Sequence, residues 1–478
     1  MVESIPTPSS WMVLPFVLLL AMIALGPLFF AGWWSRHYPK VSVGLAAFTV
    51  AYYLFGISPS GPAHDRVIHT AVEYFQFIAL IGSLFVVSGG IHINVKGEAK
   101  PSVNVLFLLF GAVLANVVGT TGASMLLIRP WLRMNKYRIT AHHVVFFIFI
   151  VSNVGGCLTP IGDPPLFLGY LKGVPFLWVA EHLWPLWLVA MGTLLAMFYV
   201  VDSINFRRAP KAVRDRETAH EAWRFDGVQN VFFLLVILGA VFINHPHFLR
   251  EGLMIAAAAG SYFTTAKPVH EANDFNFHPI KEVAVLFVGI FGCMIPALDW
   301  LSLNAVQLGS PTPAFFYFGS GALSSVLDNA PTYLSFLSVI QGLHADPEVA
   351  RQIQDLIQGG GGDLAAVAGV HAEQVKASYQ FLLSYSPGAV AGKSVTPDQI
   401  GMAILLANTK VNSLIVAISA GSVFFGANTY IGNGPNFMVK AIADHAKVRT
   451  PGFVAYIWKF TLPVMIPMLL LVWFLFFR

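Results

Sequence analysis

Charged residues are scarce in this sequence, and cysteines are scarcer still. Only 11% of its 478 residues are charged, whereas 56% are hydrophobic. A soluble domain carries about 25% charged residues, so this chain has too few to cover a water-facing surface. Its two cysteines lack the spacing of a disulfide framework or a zinc site. The net charge of +4 gives no reason to expect a nucleic-acid partner.

Long uncharged runs recur along the whole chain. The first, from Trp11 to Ser35, follows a start that lacks a basic region, so we expect a retained span and not a signal peptide. A helix needs about 20 apolar residues to cross a bilayer. On that measure, spans are predicted near residues 11–33, 41–58, 74–92, 141–171, 183–201, 229–247, 251–266, 282–299, 402–442 and 455–477. We therefore expect a multi-pass protein of the cell inner membrane, in contact with the lipid bilayer.

Basic residues set the expected orientation, because Lys and Arg concentrate in cytoplasmic loops. Clusters follow the third predicted span, the window 101–128 and the span 183–201, and we assign all of them to the cytoplasm. Both termini and a polar insert at about 342–399 then lie in the periplasm. The insert is expected to be a solvated cap with an amphipathic helix at Asp346 to Gln358 and a flexible joint at Gly359 to Gly362.

The window 101–128 is uncharged but has basic residues on both sides. A single crossing would put one basic cluster outside, whereas a re-entrant hairpin keeps both inside. Gly119 and Gly122 lie in the middle of the window, where a hairpin would turn. The sequence favours the hairpin, and the single crossing is the alternative.

Two pairs of segments look alike in the two halves of the chain. Val113–Asn116 is similar to Val326–Asn329, and Thr159–Pro165 is similar to Thr429–Pro435. The polar insert accounts for most of the difference between the two spacings. Because each half has an odd number of spans, the second half enters the membrane from the opposite side.

The predicted fold class is therefore an all-α polytopic membrane protein. It consists of two inverted repeats of five transmembrane helices plus one re-entrant hairpin each, with discontinuous helices at the midplane. The first half covers residues 1–225, with its hairpin at about 101–128 and its broken helix at about 141–171. The second covers 226–478, with its hairpin at about 311–340 and its broken helix at about 402–442. In transporters built this way, the binding site lies at the helix breaks.

These motifs resemble the ion transporter superfamily. The stretch from Ser152 to Asp163 is similar to the Asn-X-Gly-Gly and Thr-Pro-Ile-Gly-Asp pattern of NhaD-type sodium/proton antiporters, and Leu327-Asp328-Asn329 is similar to their hairpin motif. The superfamily also includes citrate and dicarboxylate transporters and arsenite permeases, and sequences of this kind are often assigned to citrate transport. The resemblance implies a homodimer with a scaffold and a moving transport part.

Polar residues at the breaks and hairpins form the candidate site. Ionisable groups inside a membrane are costly and so indicate function, which singles out Asp163 and Asp328. The candidate substrate- and ion-binding residues are Asn116, Thr120, Thr121, Ser124, Asn153, Thr159, Gly162, Asp163, Asp328, Asn329, Thr332, Thr429 and Asn433. The candidate sodium ligands among them are Asn116, Asp163, Asp328 and Asn329.

The predicted centre contains two carboxylates and no Lys or Arg, which suits a cation. The nearest base, Lys410, is interpreted as a surface lysine. A proton can compete with a cation for the same carboxylate, so the sequence predicts a sodium (or lithium)/proton antiporter that works by alternating access. The alternatives are a sodium-coupled citrate or dicarboxylate transporter, a passive channel and, more remotely, an intramembrane aspartyl protease. No enzyme activity is expected, and no cofactor other than the sodium ion and proton.

The orientation can be tested by cysteine labelling. A single cysteine near Gly360 is expected to react with an impermeant thiol reagent in intact cells, whereas one near Ala212 is expected to react only after the cells are opened. The reverse pattern would contradict the orientation, and with it the charge argument for the hairpin.

Overall fold

Helices make up nearly all of the structure, a computed structural model. It describes residues 6–58, 60–94, 100–208, 224–243, 246, 248–359, 367 and 369–478. Within these ranges the only strands are β1 (His92–Asn94) and β2 (Arg224–Asp226), which pair antiparallel. The segments long and apolar enough to cross a membrane are Ser10–Pro27, Ser60–Gly89, Pro101–Met134, Ala141–Leu158, Phe176–Arg208, His278–Leu308, Thr409–Asn428 and Phe453–Phe476. The chain is thus an all-α polytopic membrane protein.

The helices of the first half extend beyond several of the uncharged windows. They are α1 (Leu14–Phe29), α2 (Ala31–Phe55), α3 (Ser60–Gly89), α4 (Pro101–Met134), α5 (Ala141–Ile150), α6 (Pro164–Leu171) and α7 (Phe176–Arg208). Both α2 and α3 begin well before the windows predicted for them, because polar residues flanking an apolar run can remain helical. Most of the basic loop after α7, residues 209–223, lies outside the described residues.

The second half contains more and shorter helices. They are α8 (Asn230–Ala240), α9 (Leu249–Thr264), α10 (Lys267–Ala272), α11 (His278–Asn304), α12 (Pro313–Ser324), α13 (Asn329–His344), α14 (Pro347–Gln358), α15 (Ala372–Tyr385), α16 (Pro387–Ala391), α17 (Pro397–Leu406), α18 (Thr409–Phe425), α19 (Gly434–His445), α20 (Phe453–Tyr456) and α21 (Ile466–Phe476), with a π-helix at Ile457–Met465. The broken helix predicted at 402–442 therefore begins at Thr409. The Asn408 side chain caps it by accepting from the Lys410 backbone N–H at 3.1 Å.

The chain reverses direction in the middle of α4. Gly119 has φ 77° and ψ 155°, a conformation that side-chain-bearing residues avoid. On either side of it, Phe107 stacks on Trp131 with ring centroids 5.5 Å apart, and the Asn104 amide donates to the Asn135 oxygen at 2.8 Å. In a straight helix those two asparagines would stand about 45 Å apart. The two arms, 101–118 and 120–134, are therefore antiparallel, and the side of the membrane that they face stays a prediction.

A second hairpin is formed by α12 and α13. The Phe316 and Phe336 rings pack between its arms with centroids 6.1 Å apart. Its tip is residues 325–328, where the Asp328 carboxylate caps α13 by accepting from the Ala330 backbone N–H at 3.1 Å. The first hairpin thus turns at a glycine whose backbone conformation ends the first arm. The second turns just before an aspartate that caps the following helix.

The insert forms a small helical core of its own. In α14, the buried side chains Val349, Ile353 and Ile357 form one apolar face and pack against Tyr379 of α15 and Ile404 of α17. The amphipathic helix predicted at 346–358 is present. Of the predicted glycine joint, residues 360–362 lie outside the described residues.

Ion pairs attach the insert and the first broken helix to α3. The Lys172 ammonium, just after α6, lies 2.6 Å from the Glu73 carboxylate, and His69 Nε2 lies 3.3 Å from the carboxylate of Asp398, at the start of α17. Burial acts to raise the pKa of Asp398, but the hydrogen bond to His69 and the charge of Lys172 lower it to about 2. The segments that meet here are all predicted to be periplasmic.

A buried ion pair anchors the base of the first hairpin to α7. The Asp202 carboxylate accepts from both terminal nitrogens of Arg138, and both side chains are almost completely buried. It also accepts from the Asn104 amide at 2.9 Å, and the Nε2 atoms of His142 and His143 lie 3.2 and 3.1 Å from it. Removing one member of such a pair leaves the other charge buried without compensation.

We expect Asp202→Asn to destabilise the fold by about 3 kcal/mol or more, the usual cost of breaking a buried pair from one side. The measurement is the melting temperature of the purified protein in detergent. The matched control is Glu348→Gln, which breaks an exposed pair with Arg351 and should change the melting temperature little. Equal effects of the two substitutions would contradict the anchoring role.

Candidate ion-binding site at the helix breaks

Two helices are interrupted, and each interruption brings two glycines together. The first break separates α5 from α6, and the second separates α18 from α19. A Cβ on Gly162 would lie 2.0 Å from the carbonyl oxygen of Gly156, and one on Gly432 would lie 2.5 Å from that of Gly426. No side chain fits at such distances, so the breaks require glycine at these positions.

A threonine hydroxyl joins each break to a hairpin. Thr159 Oγ1 donates to the Asn116 carbonyl at 2.6 Å and accepts from the backbone N–H three residues later at 3.1 Å. Thr429 Oγ1 donates to the Ser325 carbonyl at 2.6 Å and accepts from the N–H three residues later, also at 3.1 Å. Each hydroxyl therefore satisfies one acceptor and one donor freed where the backbone leaves the helix.

These contacts correct the predicted alignment of the two hairpins. Asn116 was expected to correspond to Asn329, but the structure makes Ser325 its counterpart. The Asn116 amide donates to the carbonyl four residues earlier in its own hairpin and to a carbonyl of the facing broken helix, and the single hydroxyl proton of Ser325 lies within reach of the two equivalent carbonyls. The predicted alignment was wrong by one helical turn, since it relied on a short motif. The counterpart of Asn329 is Thr120.

Asp163 lies at the centre of the assembly and is completely buried. It accepts hydrogen bonds from Thr120 Oγ1 at 3.0 Å, from Asn329 Nδ2 at 2.7 Å and from Asn433 Nδ2 at 3.3 Å. Thr120 belongs to the first hairpin, Asn329 to the second, and Asn433 to the second break. Four separate chain segments thus meet at one carboxylate.

Four helix N-termini converge on the same point. Asp163 precedes α6, Asn433 precedes α19, Asn329 is the first residue of α13, and Thr120 begins the second arm of α4. Helix N-termini carry partial positive charge and stabilise a nearby anion. In this conformation the Asp163 carboxylate occupies the position that favours an anion.

The side chains that donate hydrogen bonds to Asp163 are neutral. Among the residues that the structure describes, no Lys, Arg or His side chain hydrogen-bonds or ion-pairs with it. Asn329 Oδ1 is buried beside it and accepts no hydrogen bond within this part of the chain. A carboxylate together with a free amide oxygen is the kind of ligand set that a hard cation binds.

The other predicted residues support the site instead of contacting Asp163. Asn116, Thr159, Gly162 and Thr429 tie the breaks to the hairpins through backbone atoms. Ser124 shares a hydrogen bond of 2.8 Å with Ser152, and Thr332 donates to the Asp328 carbonyl at 3.0 Å. Thr121 lines a small cavity described below, and Lys410 is exposed, as expected of a surface lysine.

Three contributors were not predicted from the sequence. Asn436 accepts from the Asn153 amide at 2.7 Å, the Ser152 carbonyl accepts from Asn433 at 3.2 Å, and the Ser325 carbonyl accepts from the Thr429 hydroxyl. The sequence did carry a signal for Asn436, because this residue lies in the first turn of a helix that follows a Gly-Pro break.

Two cavities adjoin the assembly. One, of about 30 Å³, lies between α3 and the tip of the first hairpin, beside Thr120, Thr121 and Gly162, and most of its other lining residues are apolar. The other, of about 1050 Å³, lies between the second arm of α4, α19 and the loop before α11. The charged side chains that line it are Arg129, Arg133, Lys136, Lys447 and Asp274, with His445 beside them.

The fold and the site define a membrane transporter. The chain belongs to the family described as "Putative citrate transport", whose model matches residues 6–477. An uncharacterized transporter of Mycobacterium tuberculosis, from strains CDC 1551 and H37Rv, is 24% identical over 377 residues, which cover 71% of this chain and 86% of the relative. A 46 kDa membrane protein of Mycobacterium leprae (strain TN) is 26% identical over 262 residues, which cover 50% of this chain and 58% of the relative.

We expect Asp163→Asn to abolish transport by the purified protein in vesicles while leaving expression and monodispersity near normal, since removing a buried charge that forms no ion pair within the described residues need not destabilise the fold. Asp328→Asn is the comparison, because asparagine caps helices as well as aspartate does. Its loss of transport should be smaller. Full transport by Asp163→Asn would contradict the assignment of the site.

Proposed function

We propose that the protein is a secondary active transporter that exchanges sodium or lithium for protons. The observation that carries this proposal is the complete burial of Asp163, whose hydrogen-bond donors among the described residues are all neutral. A buried charge is costly unless it is paired. Either a proton or a metal cation can neutralise this carboxylate, and both cannot do so together. Competition for one group is the basis of antiport.

The ligands around Asp163 support a small cation. Side chains of Thr120, Asn329 and Asn433 all lie within hydrogen-bond distance of its carboxylate, so an ion that binds among them must be small. The neighbouring Asn329 supplies a buried oxygen that has no hydrogen-bond donor in the described part of the chain. Sodium prefers oxygen ligands of this kind, as other hard cations do.

The proposed architecture is a pair of inverted repeats, one ending and the other beginning near residue 225. The matching contacts of Thr159 and Thr429, and of Asn116 and Ser325, support it. We further propose that the protein is a homodimer of the cell inner membrane with both termini in the periplasm. In this proposal the ions cross by alternating access at the two matched breaks and not through a fixed pore.

Sodium-coupled transport of an organic anion such as citrate is the second candidate. The family description favours it, and so does the larger cavity, since its lining carries four Lys or Arg residues and one acid. Its bases would concentrate anions near the site. In this function Asp163 would bind the coupling cation.

Ion-driven proton movement distinguishes the two candidates. For an antiporter, sodium or lithium alone is expected to release protons from acid-loaded vesicles that contain the purified protein, and Asp163→Asn is expected to release none. Protonation and sodium binding oppose each other by the same factor. The apparent sodium affinity should therefore rise with pH and then become constant once the carboxylate is ionised.

The second candidate gives the opposite result. If sodium and lithium release no protons at any pH, and citrate instead causes sodium-coupled accumulation, the antiport proposal is wrong. Empty vesicles and vesicles with Asp163→Asn serve as controls for leak in both experiments.

A further inference from the structure

Two ion pairs hold the segments next to both broken helices against α3. The Lys172 ammonium, just after α6, lies 2.6 Å from the Glu73 carboxylate. The His69 ring lies one turn before Glu73 on the same helix, and its two nitrogens each lie 3.3 Å from a carboxylate, Nδ1 from Glu73 and Nε2 from Asp398. Asp398 lies in the first turn of α17, which leads into α18. Through these pairs, α3 contacts the end of the first broken helix and the segment before the second.

The backbones of these two segments also meet. Gly173, which follows Lys172, has φ 91°, a conformation that side-chain-bearing residues avoid. A Cβ at this position would lie 2.7 Å from the Asp398 carbonyl oxygen and 2.9 Å from Gln399 Cα. No side chain fits there, so the loop after α6 packs directly on the start of α17. These two segments form one unit, and the ion pairs connect that unit to α3.

Each side of this contact carries one base and one acid. Lys172 and Asp398 belong to the unit, whereas His69 and Glu73 belong to α3. When the two sides separate, Lys172 remains beside Asp398, and Glu73 keeps the His69 ring one turn away on its own helix. Neither acid is then left without a base nearby, so the main cost of breaking a buried pair is avoided. The contact can therefore open.

A different contact fixes α3 to α2 and α11. Asp299 of α11 is completely buried and accepts from two nitrogens of Arg66 at 2.6 and 3.0 Å and from the Tyr53 hydroxyl at 2.9 Å. The base and the acid lie here on opposite sides, so separating α3 from α11 would leave the Asp299 charge buried without Arg66. Of these two contacts of α3, the one with the loop after α6 and the start of α17 is therefore the one that releases.

The helix α6 connects this contact with the candidate site. Its eight residues lie directly between Asp163 and Lys172 and span about 12 Å. A helix this short is stiff, so a displacement of Asp163 also displaces Lys172. We infer that the two ion pairs to α3 form a latch, which is closed in this conformation and opens during the alternating access proposed above. The latch consists of the pairs Lys172–Glu73 and Asp398–His69.

The first experiment fixes the latch in its closed state. Cys157 and Cys293 are replaced by alanine, His69→Cys and Asp398→Cys are introduced together, and the purified protein in vesicles is treated with a short bis-methanethiosulfonate. Intact mass identifies the linked product. Linking should abolish transport, whether sodium-driven proton release or sodium-coupled citrate uptake is assayed, because it holds together two segments that have to separate. Reducing the linker should restore transport.

Arg351→Cys with Asp355→Cys is the matched control in the same background. These exposed residues lie one turn apart in α14, so the reagent links them within a single helix and transport should continue. The single variants His69→Cys and Asp398→Cys, treated with the same reagent, should also keep transport, since modification alone links nothing.

The second experiment measures the opening without transport. Spin labels at Asp65→Cys of α3 and Ala391→Cys of the insert, both exposed, report the distance between α3 and the segment before α17 by pulsed electron paramagnetic resonance. Lys172→Gln should add a longer distance to the single distance of the otherwise unchanged protein, whereas Lys172→Arg, which keeps the charge, should not. Lys376→Gln, in a pair within α15, is the matched control and should leave the distance unchanged.

Two results would overturn the inference. One is full transport by the linked protein with His69→Cys and Asp398→Cys, because its latch cannot open. The other is a single unchanged distance in Lys172→Gln. If the wild-type protein in vesicles releases no protons on adding sodium, the proposed antiport is wrong, and the distance measurement still decides on the latch.

Discussion

The hydrocarbon core of a membrane offers no water, so every backbone group freed by a helix break must find a partner inside the protein. The structure meets this constraint in the same way twice. A threonine hydroxyl, Thr159 or Thr429, bridges a hairpin carbonyl and the N–H of a glycine, and that glycine packs against another glycine's backbone. Each hairpin is therefore needed to satisfy the break beside it. A hairpin and its break cannot separate without leaving polar groups unpaired.

This construction also creates the site. Breaking two helices and turning two hairpins produces four helix N-termini, which meet where the hairpins cover the breaks. The two halves supply different groups to this point, a carboxylate from Asp163 and an amide from its counterpart Asn433. Consequently one of these two positions can change its charge and the other cannot. The positive ends of the helices and the three neutral donors stabilise that single charge without a neighbouring base.

Several features could be predicted from the sequence because one residue type carries the information. A glycine between two basic clusters predicted the turn at Gly119, and a carboxylate in a Gly-Pro break predicted that Asp163 would lie at the helix break. The alignment of the hairpins could not be predicted. Asn116 and Asn329 are the same residue type in similar short motifs, but the side chain that contacts the facing broken helix as Asn116 does is Ser325. Asn436 and the Asp202–Arg138 pair were missed for a related reason. Their roles come from partners distant in the chain, and single polar residues in loops and helices give no periodic signal.

The bases around the larger cavity and the buried carboxylate of Asp163 act on a substrate at different distances, with different consequences. The bases around the larger cavity act over several ångströms through water and salt, which screen them. Asp163 acts by contact in a buried setting, where a second negative charge would be repelled strongly. An organic anion drawn in by Arg129 and its neighbours would therefore leave the attracting charges behind and meet a carboxylate. It could approach the breaks only after a cation or proton had neutralised Asp163. In both candidate functions, then, the cation site at Asp163 must be filled first, and citrate transport, which the family description names, would be an addition to that cation chemistry and not a replacement for it.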